Sequence, residues 1–80
     1  MKLKKPTKDQ VRSARLLADQ TQEEAASTVH LANYKTWQNY ELGDRNMSLA
    51  TWELYLIKNF ILKNDVSEQK IMNEILKKIG

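Results

Sequence analysis

Signals that start and stop helices follow one another so closely along this chain that it folds as a set of short helices or not at all, and each signal has a physical cause. The strongest is Thr21-Gln22-Glu23-Glu24. A threonine oxygen there takes the backbone N–H three residues on, the Glu24 carboxylate reaches back, and both acids sit in a positive first turn. Thr7 with Gln10 has the same form, Asn33 and Ser48 are good N-caps, and Gly43 stands where a helix stops on a left-handed residue. Helix 1 is therefore expected from the Thr7 cap to Asp19 and Gln20, and helix 2 from Thr21 to about Val29. Helix 3 runs from Asn33 to Gly43, helix 4 from Ser48, and a fifth starts at Asp65 or Ser67.

Apolar spacing agrees with these bounds. Val11, Ala14, Leu17 and Ala18 recur on one face of helix 1, and Trp37, Tyr40 and Glu41 share a face of helix 3. Helix 4 carries one stripe of Leu49, Trp52, Leu56 and Phe60 and a second of Leu54, Ile57 and Ile61, about 110° around. Ile71, Met72, Ile75, Leu76 and Ile79 give helix 5 a broad apolar face. Two glycines and one proline in 80 residues leave too few turn formers for an all-β chain, so the fold class expected is all-α, with five helices. A core this small cannot enclose a deep cleft, and it needs Trp37, Tyr40, Trp52 and Phe60 for packing rather than for stacking on bases.

Several chemistries are excluded by what the chain lacks. Without cysteine there is no disulfide, thiolate metal site or thiol nucleophile, which fits a reducing compartment. The most apolar run, residues 54 to 62, is interrupted by Lys58 and Asn59 and falls well short of the roughly 20 residues a membrane span needs. The first residues carry no secretory signal, so the expected location is cytoplasmic. His30, the single histidine, reads as a turn or cap residue, and Glu23 and Glu24 as first-turn acids. With no phosphate loop and no nucleophile elbow, the chain is not expected to be an enzyme, and no cofactor, metal or small-molecule ligand is expected. The net charge of +3 is unevenly spread: residues 1 to 15 hold six cations against Asp9, and residues 16 to 30 hold acids alone. Residues 1 to 6 thus form a basic arm and residues 7 to 80 one domain.

Thr21-Gln22-Glu23-Glu24-Ala25-Ala26, then Val29, Trp37, Tyr40, Glu41, Gly43, Arg45, Asn46, Ser48 and Leu49, resemble the helix-turn-helix of the phage lambda repressor and Cro family over about residues 10 to 62. The run from Trp37 through Leu56 is also similar to small phage and plasmid regulators, among them anti-CRISPR-associated repressors. Two departures stand out. Residues 30 to 33 make the turn between helices 2 and 3 one residue longer than the family's and leave it without glycine, and Met47 replaces a proline. The resemblance implies a lambda-repressor-like domain whose helices 2 and 3 form the motif, with Ala25 and Ala26 small because helices cross there. It implies a transcriptional regulator that binds specific double-stranded DNA.

On helix 3 the core face leaves Lys35, Gln38, Asn39 and Leu42 outward, with Tyr34 at the N-terminal end. Placed in a major groove, Lys35 would donate to guanine O6 and N7, Gln38 or Asn39 would pair with adenine, and Tyr34 or Leu42 would touch a thymine methyl or sugar, so Tyr34, Lys35, Gln38 and Asn39 are the base-contact candidates. Gln22, Thr36, Arg45, Asn46, Lys8 and Arg12 are the phosphate-contact candidates, Gln22 because it matches the family's phosphate-clamping glutamine. One recognition helix reads few base pairs, so a homodimer on an inverted-repeat operator is expected, joined through Leu54, Ile57 and Ile61 of helix 4 and Ile71, Ile75 and Ile79 of helix 5; the competing arrangement has helix 5 folded back over helix 4 within a monomer. A repressor that controls its own operon needs the least machinery. The competing class is a protein-interaction module, an inhibitor or antitoxin on the same fold, which would expose Leu42, Leu54 and Ile57 as an apolar patch.

Overall fold

The computed structural model describes residues 3–61 and 68–79, and within them every regular element is a helix. These are α1 (Lys8–Leu17), α2 (Gln22–Thr28), α3 (Tyr34–Leu42), α4 (Leu49–Leu56), which runs on into a π-helical turn at Ile57–Ile61, and α5 (Glu68–Ile79). Asp65 and Ser67, the expected starts of the fifth helix, lie outside the described residues.

The caps form as the sequence reads. The Gln10 and Glu24 backbone N–H groups donate to Thr7 Oγ1 and Thr21 Oγ1 at 3.2 and 3.1 Å, and the side chains of Gln10 and Glu24 accept in return from the cap N–H groups. Asn33 Oδ1 accepts from the Lys35 N–H at 2.9 Å, and Ser48 Oγ from the Thr51 N–H at 3.2 Å. Three helices in succession then end on a left-handed residue: Asp19 at φ 56°, His30 at φ 61° and Gly43 at φ 86°. Beyond Asp19 and His30, the Gln20 and Leu31 N–H groups reach back five residues to the Arg15 and Ala26 carbonyls, which closes both helix ends. Asp and His tolerate this conformation better than most residues, so Asp19 and His30 end their helices without a glycine.

The core gathers Trp37, Trp52, Tyr55, Leu56, Phe60 and Met47 around the small residues Ala14, Ala25 and Ala26. Because Ala25 and Ala26 lack bulk, α2 lies close on α3. Trp37 and Tyr55 meet with ring centroids 4.8 Å apart, which joins α3 to α4.

Two expectations are corrected here. The buried face of α4 and its π-turn consists of Trp52, Tyr55, Leu56, Asn59 and Phe60, whereas Leu49 is 37% exposed and Leu54, Ile57 and Ile61 are half-buried. That set repeats at i, i+3, i+4, i+7 and i+8, so the expected inner stripe keeps Trp52, Leu56 and Phe60, loses Leu49 and widens to take in Tyr55 and Asn59. The second correction concerns α5, which packs on α1 and on the π-turn of its own chain. Ile71 and Ile75 are 6% and 0% exposed and therefore do not face a second copy. The cause is the slenderness of α1, whose Val11 and Ala14 need an apolar cover that α5 supplies. The side chain of Ile79 lies outside the described residues.

Candidate nucleic-acid interface

α3 is held on its inner side by a polar cluster. Arg15 of α1 donates from Nε and Nη2 to the two carboxylate oxygens of Glu41 at 2.6 and 3.1 Å, and from Nη1 to the Gln20 carbonyl at 3.0 Å. Trp37 Nε1 donates to the same carboxylate from one turn earlier, and Gln22 Nε2 reaches it from α2 at 3.4 Å. Helices α1, α2 and α3 thus meet at one buried charge. Burial pushes the Glu41 carboxyl up, but the hydrogen bonds from Arg15 and Trp37, with the charge of Arg15, outweigh it and hold the group below its ordinary range. The hydrogen bond to Glu41 in turn raises Arg15.

A second cluster fixes the turn before α3. Tyr55 Oη donates to Gln20 Oε1 at 2.7 Å, Gln20 Nε2 donates to Asn59 Oδ1 at 2.9 Å, and Asn59 Nδ2 donates to the Tyr55 carbonyl at 3.0 Å. Lys58, on the π-turn, donates to the Thr28 carbonyl at 3.0 Å and stands 3.0 Å from His30 Nε2, placing a cation at the negative end of α2.

With its inner side so fixed, α3 presents a defined outer side. Tyr34 and Lys35 are exposed, Leu42 is 60% exposed, and Gln38, Asn39 and Thr36 are half-buried. Glu41 is the one acid of α3, and its charge is turned inward against Arg15, so Lys35 is the only charge on the outer side of the helix. Of the flanking candidates, Lys8, Arg12, Arg45 and Asn46 are exposed. A cleft of about 200 Å³ lies between the start of α1 and the loop after α3, and its lining includes Lys8, Tyr40, Arg45 and Asn46. There the Lys8 stem covers Gly43, whose missing Cβ would stand 3.2 Å from Lys8 Cδ. Gln22 is half-buried beside Glu41 on the opposite flank.

Arg15 and Tyr55 escape a reading by caps and spacing, because their partners are 26 and 35 residues away. A signal existed for Arg15 alone: it is a cation at the end of a helix whose neighbouring residues are apolar. No family model, curated protein or solved structure matches this chain.

Proposed function

We propose that this chain is a sequence-specific double-stranded DNA-binding regulator of transcription, a repressor of its own operon, with α2 and α3 as its helix-turn-helix. The observation that carries the reading is the two-sidedness of α3: an inner side locked by Glu41, Trp37 and Tyr40, and a free outer side whose only charge is Lys35. A rigid helix with unpartnered polar side chains is what a base-reading element requires, because its donors must be in place before the groove arrives. Tyr34, Lys35, Gln38 and Asn39 are assigned to bases, and Lys8, Arg12, Gln22, Thr36, Arg45 and Asn46 to the flanking phosphates.

One recognition helix reads only a few base pairs, so one copy reads a single half-site and a longer site needs two copies. An inverted repeat read by a homodimer follows, with its contact drawn from surface that the fold leaves open, such as the 45% exposed Leu76 and the half-buried Leu54, Ile57 and Ile61.

Selection of bound duplexes from a random double-stranded pool, followed by footprinting upstream of the chain's own reading frame, tests the proposal. An enriched motif protected in that region is the expected result. Failure to enrich any motif would favour the interaction-module reading, to which the exposed Leu42 also lends itself.

A further inference from the structure

The outer side of α3 carries more apolar surface than its polar residues suggest. Tyr34, Gln38 and Leu42 fall four residues apart and so line one stripe of the helix. Tyr34 is 43% exposed at one end, and Leu42, at 60%, is the most exposed large apolar residue described. Apolar surface left in water at both ends of a stripe, with an amide between them, calls for a partner with the same alternation. In the major groove the one apolar feature on a base edge is the C5 methyl of thymine, and adenine N6 and N7 match a side-chain amide.

We infer that Tyr34 and Leu42 are specificity-determining residues that recognise two thymine methyl groups in each half-site, with Gln38 reading an adenine between them. The inference rests on the DNA-binding reading and narrows it to a class of operator. Eight residues of helix rise about 12 Å, and base pairs stack about 3.4 Å apart along the duplex axis, so the two methyl groups fall within about four base steps of each other when α3 lies in the groove. The occupant is DNA rather than an apolar protein groove on grounds of charge. Lys35 is the only charge of α3 that faces outward, Glu41 is neutralised inward, and Lys8 and Arg45 are exposed by the end of the helix, where they outnumber the neighbouring acid Asp44, while Glu23 lies near Tyr34 at the other end.

Deoxyuridine is thymidine without that methyl, which makes the test direct. A duplex enriched from the random pool is resynthesised with uridine replacing each thymidine singly, and binding is measured for the wild type and for Leu42→Ala and Tyr34→Ala. Both side chains are exposed, so the variants keep the fold, which their thermal melts check. Two positions per half-site should weaken wild-type binding about three- to fivefold, the effect of one buried methyl. Leu42→Ala should bind more weakly and lose its sensitivity at one of these positions, and Tyr34→Ala at the other. An enriched duplex that the wild type binds equally well with uridine throughout overturns this inference alone, as does a Leu42→Ala variant that keeps both sensitivities. A pool from which nothing is enriched overturns the DNA-binding reading and this inference with it.

Discussion

Glu41 Oε2 lies 2.6 Å from Arg15 Nε, and this contact ties α3 to α1 across 26 residues of sequence. The two side chains are 6% and 14% exposed, so both charges have left most of their water. A pair in that position adds little net stability over an apolar replacement, yet either half alone is a buried charge without a partner. Arg15→Met should therefore cost about 3 to 5 kcal/mol in urea unfolding, and adding Glu41→Leu should recover most of that loss. A loss below about 1 kcal/mol for Arg15→Met would mean that the pair does not brace the helix.

The phenol of Tyr55 gives the fold an alkaline limit. Burial raises its ionisation far above the ordinary value of about 10, while the chain frees an ordinary tyrosine when it unfolds. Stability from this group is complete below about pH 10 and falls as pH rises, because above that value only the unfolded chain releases the proton. Urea midpoints between pH 9 and 11.5 should decline more steeply for the wild type than for Tyr55→Phe, by about 1.4 kcal/mol per pH unit above pH 10. At neutral pH the same variant should be less stable by about 1 kcal/mol, through loss of the hydrogen bond to Gln20. Parallel alkaline slopes would contradict this account.

Ile75 and its neighbour Leu76 separate folding from association. Ile75 is fully buried against the chain's own core, so Ile75→Lys should fail to give a folded domain by circular dichroism, at a cost well above about 3 kcal/mol. Leu76 is 45% exposed, and Leu76→Lys should keep the fold within about 0.5 kcal/mol. If Leu76 belongs to a dimer contact, sedimentation of that variant should shift toward the monomer. A well-folded Ile75→Lys protein would show that α5 does not close the core.

Most local decisions were legible because they are made within a few residues: Thr7, Thr21, Asn33 and Ser48 each cap a helix with their own side chain, and Gly43 stops one. His30 was legible as a cap but not as the left-handed residue that ends α2, since its conformation depends on the turn around it. What escaped was set at a distance. The apolar face of α5 said that something would cover it, but periodicity does not distinguish the chain's own α1 from a second copy. Tyr55 and Asn59 are buried because their polar atoms find Gln20, a partner no local pattern announces. At the candidate interface the outward phase of Lys35 and Leu42 followed from Trp37 and Gly43, whereas the neutralisation of Glu41 by Arg15 did not.

Base reading and phosphate binding should respond to different substitutions. Lys35→Ala or Asn39→Ala should relax preference at one position of each half-site, at about 1 to 3 kcal/mol for the preferred base, while leaving binding to scrambled DNA little changed. Deleting residues 1 to 5, which include Lys2, Lys4 and Lys5, should reduce the slope of log affinity against log salt by about 0.9 for each phosphate that the arm no longer neutralises, with sequence preference intact. Titrations of selected and scrambled duplexes at several salt concentrations measure both effects. Wild-type discrimination in both point variants would remove α3 from base reading, and an unchanged slope would remove the arm from the phosphates.

The seating of α5 on α1 also governs when the chain can fold during its own synthesis. Val11 and Ala14 leave the ribosome before Ile71 and Ile75, which close the core and are made more than fifty residues later. At roughly 5 to 20 residues per second, α1 waits several seconds with its apolar face uncovered. α2 and α3, which pack on each other locally, need no such delay. The helix pair assigned to DNA can thus assemble before α5 is made, and the nascent chain is most open to capture by chaperones or to premature association in the interval before α5 arrives.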